Sequence, residues 1–299
     1  MQLIIATSPG GSQDTIIGPF LPVLQKQLGT KINVQYRPGA GLAVGLALAH
    51  RATPDCNTLV GIVTPQIQFS YLTQKNVDYT YDDFRSLGGL AVDPAILVVR
   101  KDSPWKTLAE FIDYAKRHPG KVKVGISQYT SNYYPSLVEL EERTGARFNI
   151  VSYDGGGPAR KALLAGEVDA SENGIYNGAS IRSRTTTLAL SWDRNNWAKQ
   201  IGDVPTFSKA LGGSFPVNES FTTLGVPAGC AKENPERFKK LQDAFAAARS
   251  STAYHTVLKK SDSLGQLQTD SPSAFDNKVD ASIPQLKSVI AKYPELQPK

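Results

Sequence analysis

The sequence predicts an α/β protein of two lobes, and three observations carry that expectation. Short apolar strand-like runs alternate with helix-like runs along most of the chain. Glycine-rich turns stand where strands pass into helices. The 299 residues suggest about two domains, yet no Gly/Ser linker or low-complexity tract separates the parts. Two lobes joined by at least two crossings fit better than domains in tandem.

The first series starts with a strand at Leu3–Ala6, followed by the turn Ser8-Pro9-Gly10-Gly11-Ser12. Asp14 can cap a helix with apolar residues at Ile16, Ile17, Phe20, Leu21, Leu24 and Leu28, which Gly29 stops. Pro19 and Pro22 fall inside that pattern and should bend or delay it. Ile32–Tyr36 alternates as the next strand; Arg37–Gly41 turns into a small-residue helix, Leu42–Ala52; Thr58–Ile62 is a buried strand.

Ala95–Arg100 reads as a strand leaving the first lobe. A second series follows: helix Thr107–Arg117, strand Val122–Ile126, and a polar turn over Ser127, Gln128, Tyr129, Thr130, Ser131 and Asn132. Then come helix Tyr133–Thr144, strand Asn149–Ser152, the turn Tyr153-Asp154-Gly155-Gly156-Gly157-Pro158, helix Ala159–Ala165, and strands Val168–Ser171 and Leu188–Ser191. Phe221–Val226 is again strand-like. Beyond it the texture is helical. Asn234-Pro235 starts a helix through Ala248, a second covers Thr252–Lys260, and a last runs from Ser273 to Ala291 with a kink expected at Pro284.

Composition narrows the function. A 40% hydrophobic and 20% charged chain is an ordinary globule, and no apolar run approaches the roughly 20 residues that span a bilayer. The net charge of +6 is carried by scattered Lys and Arg without aromatic interleaving, which argues against nucleic acid. The histidines, His50, His118 and His255, form no paired spacing, so neither a metal site nor a cofactor is expected. Gly39, Gly41 and Gly45 miss the dinucleotide fingerprint, and Gly10-Gly11 lacks the Gly-Lys-Ser/Thr of a phosphate loop. The two cysteines, Cys56 and Cys230, each lie by a turn, which leaves room for one bridge in an oxidising compartment. An abrupt strand straight after Met1 reads either as a mature domain without its signal peptide or as a cytosolic protein.

What the chain does offer is main-chain donors. A strand ending in a glycine turn leaves the next helix's first N–H groups facing open space, and those donors with the helix dipole favour an anion. For any one turn, capping without a ligand is the simpler reading. Three such turns at the carboxyl ends of strands favour a site, because open α/β sheets bind ligands there.

The segments Arg37-Pro38-Gly39-Ala40-Gly41 and Thr53-Pro54-Asp55-Cys56-Asn57-Thr58-Leu59 resemble the "RPGAGG … PDGYTL" stretch of the Bug family. These are extracytoplasmic solute-binding proteins of tripartite tricarboxylate transporters. The same order continues through Lys106–Phe111, His118–Lys121, Tyr153–Ala159, Leu164–Asp169 and Asp203–Thr206, so the resemblance covers nearly the whole chain. It implies a periplasmic, two-lobed binding protein of the type II, flytrap-like fold, with a hinge between lobes at about 1–98 plus 222–299 and about 99–221. The implied ligand is a small carboxylate, aromatic or a dicarboxylate, handed to membrane permease subunits by a monomer that performs no catalysis. The ligand set implied by position is Ser8, Pro9, Gly10, Gly11, Ser12, Gln13 and Asp14 from one lobe, facing Ser127, Tyr129, Thr130, Ser131, Asn132, Gly155, Gly156 and Gly157 from the other in a cleft between them.

Departures from the family pattern matter. Ser12-Gln13 replaces a Gly-Thr-like pair, so the Gln13 amide is expected to reach the ligand. Both cysteines replace other family residues in the first lobe, which favours a Cys56–Cys230 bridge. The unusual segment Ser180–Trp197 reads first as a surface rearrangement, with Trp192 or nearby Tyr176 lining the pocket as the functional alternative. Tyr129 and Tyr133 beside the second-lobe turn add aromatic faces expected to select the molecule that carries the carboxylate. The rival readings are a periplasmic sensor using the same site, and an α/β enzyme, for which only Asp14 and Asp169 are candidate acids.

Overall fold

A computed structural model describes residues 1–215, 218–293 and 296. The chain divides into two compact units, Met1–Val92 with Phe221–Lys299, and Asp93–Ser220.

In chain order, unit 1 begins with β1 (Gln2–Ile5), α1 (Ser12–Ile17), α2 (Leu21–Leu28), β2 (Asn33–Tyr36), α3 (Ala43–His50), β3 (Thr58–Thr64), α4 (Gln66–Leu72) and β4 (Phe84–Ser86). Strand β5 (Ala91–Arg100) carries the chain into unit 2, which holds α5 (Leu108–Arg117), β6 (Lys123–Ile126), α6 (Tyr133–Thr144), β7 (Asn149–Ser152), α7 (Gly156–Ala165), β8 (Ala170–Gly174), β9 (Thr185–Leu190), α8 (Ala198–Ile201) and α9 (Phe207–Leu211). Strand β10 (Glu219–Pro227) returns to unit 1, followed by α10 (Ala228–Glu233), α11 (Pro235–Ser250), α12 (Thr252–Lys260) and α13 (Pro272–Lys292).

In unit 1, β1 pairs in parallel with both β2 and β3, and β10 runs antiparallel to β3 and β4. Successive side chains of β1 point to opposite faces. Leu3 and Ile5 join Phe20, Leu59, Leu224, Phe245 and Tyr254 in one core, while Ile4 and Ala6 join Leu46, Val60, Ile62, Phe84 and Phe275 in another. Both faces of this sheet are therefore covered, as parallel strands require. Phe20 meets Phe245 and Tyr254 edge-on at 5.1 and 4.9 Å, an arrangement suited to the ring quadrupole.

The single helix expected after the first turn is two helices. Gly18 donates its N–H to the Asp14 carbonyl oxygen and ends α1, Pro19 has no N–H with which to continue, and Pro22 sits in the first turn of α2, where its missing donor costs nothing. Pro235 likewise occupies the first position of α11, but Asn234 does not cap it: its amide donates to the Pro54 carbonyl oxygen at 2.9 Å. That bond lies beside a disulfide, Cys56–Cys230, whose Cα atoms are 5.0 Å apart. Helix α13 continues through Pro284.

In unit 2, β6 lies parallel to β7 and β8, and β5 runs antiparallel to β8 and β9. The carboxyl ends of β6, β7 and β8 consequently share one edge. The first ends at Ile126, the second at Ser152 and the third at Gly174. Ile96 and Val98 of β5, with Ile175, Tyr176, Ile181, Leu190 and Trp197, build the core on one face.

Candidate functional site

The first-strand turn of unit 1 is tightly built. Gly11 donates to the Ser8 carbonyl oxygen at 2.9 Å, and Gly10 has φ 74°, a left-handed conformation that glycine adopts without strain. The cap of α1 is Gly11 rather than Asp14. Asp14 stands one turn inside, and its carboxylate accepts from the Gly10 N–H at 2.8 Å and from the Tyr36 hydroxyl at 2.7 Å. The Asp14 hydrogen bond, with some burial, pushes the Tyr36 phenol up to about 12. Ser8 and Ser12 are half-buried, and Pro9 and Gly10 are exposed.

Gln13 lies elsewhere. Its side chain is fully buried and spent on the sheet: Oε1 accepts from the Ala6 N–H at 2.8 Å, and Nε2 donates to the Gly61 carbonyl oxygen at 2.6 Å. The expectation that this amide reaches a ligand is thus replaced by a role holding the turn between β1 and β3. No protein acceptor meets the main-chain N–H groups of Ser12 and Gln13 among the described residues.

In unit 2 the two turns meet. The Gly155 N–H donates to the Ser127 carbonyl oxygen at 3.0 Å, across adjacent parallel strands. Ser131 folds back on its own turn, its hydroxyl and N–H donating to the Gln128 carbonyl oxygen at 2.6 and 3.1 Å. Thr130 is half-buried, and Tyr129 is 44% exposed, its ring edge-on to Tyr134. Helix α7 begins at Gly156, three residues earlier than its sequence suggested, so Gly156 and Gly157 are its first-turn donors. Their N–H groups also meet no protein acceptor among the described residues. Tyr176 and Trp197 are buried in the unit 2 core, with Trp192 partly buried against them.

Behind these turns lies a buried polar cluster that sequence reading missed, apart from Tyr133 and Asn132. Arg160, one turn into α7, is 6% exposed, and a Cβ built on Gly156 would stand 3.0 Å from its guanidinium. Asp93 of β5 accepts from the N–H groups of Tyr176 at 2.8 Å and Asn177 at 3.0 Å. Burial pushes it up to about 7, against the pull of those donors and of the Arg160 and Arg182 charges. Glu172 of β8 accepts from the Ser136 hydroxyl at 2.8 Å and the Asn218 amide at 3.0 Å, both on Oε1. Its Oε2 is buried without a partner among the described residues, and burial pushes the group up to about 8. Burial, with Asp93 and Glu172 nearby, also raises the Tyr133 phenol, and burial lowers Arg160. A charged residue inside an otherwise apolar strand was the available signal: Asp93 interrupts Ala91–Val99. Among the described residues no group of three His, Cys, Asp or Glu could hold a metal ion.

Residues 22–275 match the family model described as Tripartite tricarboxylate transporter family receptor. The chain belongs to that family. Among its relatives is the UPF0065 protein in the gbd 5' region of Cupriavidus necator, 30% identical over 88% of the receptor and 78% of the relative. BugT of Bordetella pertussis is 28% identical over 57% of the receptor and 53% of its own length. Among solved structures, MatC from Rhodopseudomonas palustris with bound malate aligns at TM-score 0.84 and 25% identity, covering 97% of the receptor and 98% of that chain. The periplasmic binding protein BugD shares the fold at TM-score 0.88 and 20% identity, covering 100% and 98%. The receptor therefore has the two-lobed α/β fold of periplasmic binding proteins and serves solute capture for a transport system. No helix among the described residues is long and apolar enough to cross a membrane.

Proposed function

We propose that the receptor binds one small carboxylate in the periplasm and delivers it to membrane permease subunits, as a monomer and without chemistry. The observation that supports this most is the pair of open N–H groups at Gly156 and Gly157 on the ten-residue helix α7. Together with the positive end of the helix they favour an anion, and Arg160 adds buried positive charge beside them. Ser12 and Gln13 offer a second pair of main-chain donors in unit 1. Half-buried Ser8 in unit 1 and Thr130 in unit 2 supply polar side chains. Ser131 and Asn132 shape their turn through bonds to Gln128 and Asn218, and Tyr129 offers an exposed ring for an aromatic or aliphatic body. Malate, bound by MatC, sets the dicarboxylate end of the range to test.

Thermal-shift screening followed by calorimetry, with malate, adipate, benzoate and related acids, tests the reading. The expected result is a saturable rise in melting temperature with one or a few acids, one solute per chain, and no product on prolonged incubation. Absence of any carboxylate hit overturns the ligand class, and product formation overturns the non-catalytic role. Light scattering under the same conditions reads the oligomeric state.

A further inference from the structure

The chain passes between its two units twice, between residues 92 and 93 and between residues 220 and 221. Close to each passage, inside unit 2, one buried polar side chain reaches a candidate solute element. Asp93, 1% exposed, is the first residue of unit 2 on β5, and its carboxylate holds the N–H groups of Tyr176 and Asn177. Asn218, 8% exposed, immediately precedes β10, and its amide oxygen accepts from the Asn132 amide. The Asn218 amide nitrogen donates to Glu172 Oε1 at 3.0 Å. Its main chain is fixed as well: the N–H donates to the Ser191 carbonyl oxygen, and its own carbonyl oxygen accepts from Ala95 of β5, both at 2.9 Å.

Strand pairing does not require these side chains. An apolar residue at either position would serve the ladder, and a buried polar group is costly unless its bonds are made. The bonds that satisfy both groups lead to the Ser127–Asn132 turn and to the segment just after β8. Asn132 stands at the start of α6 but makes no side-chain cap there; its amide goes to Asn218 instead.

We propose that Asp93 and Asn218 are positioning residues, each tying one solute-holding element of unit 2 to one of the two strands on which the chain passes between its units. This rests on the proposed solute site at the Asn132 turn and on the sequence expectation that the Tyr176 segment, which follows β8 at the same carboxyl edge of the sheet, also meets the solute. Movement of either element on capture would then bias the adjoining strand, and by linkage the strand's state would bias affinity.

Hydrogen exchange on the unliganded full chain tests the tie without any solute. Asp93→Asn, which keeps the shape but replaces one of the two acceptor oxygens with an NH2 donor, is expected to speed exchange of the Tyr176 and Asn177 amides about tenfold. Asn218→Ala should do the same across residues 127–133. The β6 and β7 amides should stay unchanged in both. A second arm titrates malate, adipate and benzoate. Any acid that binds the parent protein should bind each variant about tenfold more weakly, and Asn132→Ala with Asn218→Ala should be no weaker than either alone. Unchanged exchange in both variants overturns the positioning role even where a carboxylate binds. If none of the acids binds the parent protein, the carboxylate reading fails, and exchange alone still decides the tie. Should Asn218→Ala fail to fold, the near-isosteric Asp93→Asn carries the test.

Discussion

The Gln13 carboxamide donates to the Gly61 carbonyl oxygen at 2.6 Å while accepting from the Ala6 N–H at 2.8 Å, so one side chain braces the end of β1 against β3. Both partners are buried main-chain groups with no solvent to replace the amide. Gln13→Ala is therefore expected to lower unfolding stability by about 2–4 kcal/mol, the cost of two orphaned buried groups. Urea denaturation measures it; a loss below about 0.5 kcal/mol would show that the turn stands without the brace.

Glu172 gives the protein a distinctive pH profile. Its ordinary value is 4.5 and its folded value about 8, so the native state holds a proton that the unfolded chain releases. The stability this contributes is fully present below 4.5 and is lost as pH rises through about 8. Asp93, raised from 3.8 to about 7, acts with the same sign over its own range. Glu172→Gln should remove its share: the difference in melting temperature between variant and parent should grow in the variant's favour from pH 5 to pH 9. A constant difference would mean that Glu172 does not change protonation there.

Cys56 and Cys230 are 174 residues apart in sequence, so their bridge constrains a long loop in the unfolded chain. Replacing both by serine should cost about 2–5 kcal/mol. Intact mass should rise by two hydrogens on reduction of the unfolded protein. An unchanged mass would remove the bridge.

Gly10 and Gly174 are required for different reasons, and alanine at each separates them. A Cβ at Gly10 meets open space, so Gly10→Ala carries only the strain of φ 74°, about 1–2 kcal/mol. A Cβ at Gly174 would fall well inside contact distance of the Asp93 carboxylate, which two N–H groups hold in place. Gly174→Ala should cost about 3 kcal/mol or prevent folding. Equal effects of the two would contradict the packing around Asp93.

Much of the fold was legible because the signals are local. The strands Leu3–Ala6 and Asn149–Ser152, the helix from Thr107 and the Gly29 end of α2 follow from residues within a turn of one another. Errors arose where a side chain had two uses. Asp14 could cap a helix or reach Tyr36, and Asn234 could cap α11 or bond Pro54; neighbours distant in sequence chose. Gln13 reads as a polar residue in a turn, and only the approach of β3, 48 residues later, makes it a core residue.

By itself the sequence determined the alternation of strands and helices and the glycine turns that end β1 and β7, since neither needs more than neighbouring residues. Tertiary structure alone decided which polar groups are buried together. Asp93, Tyr133, Arg160, Glu172 and Asn218 are spread over 126 positions of chain. Their common burial, the shifted protonation of the four titratable ones and the Glu172–Asn218 hydrogen bond exist only because the unit 2 sheet brings these distant segments together.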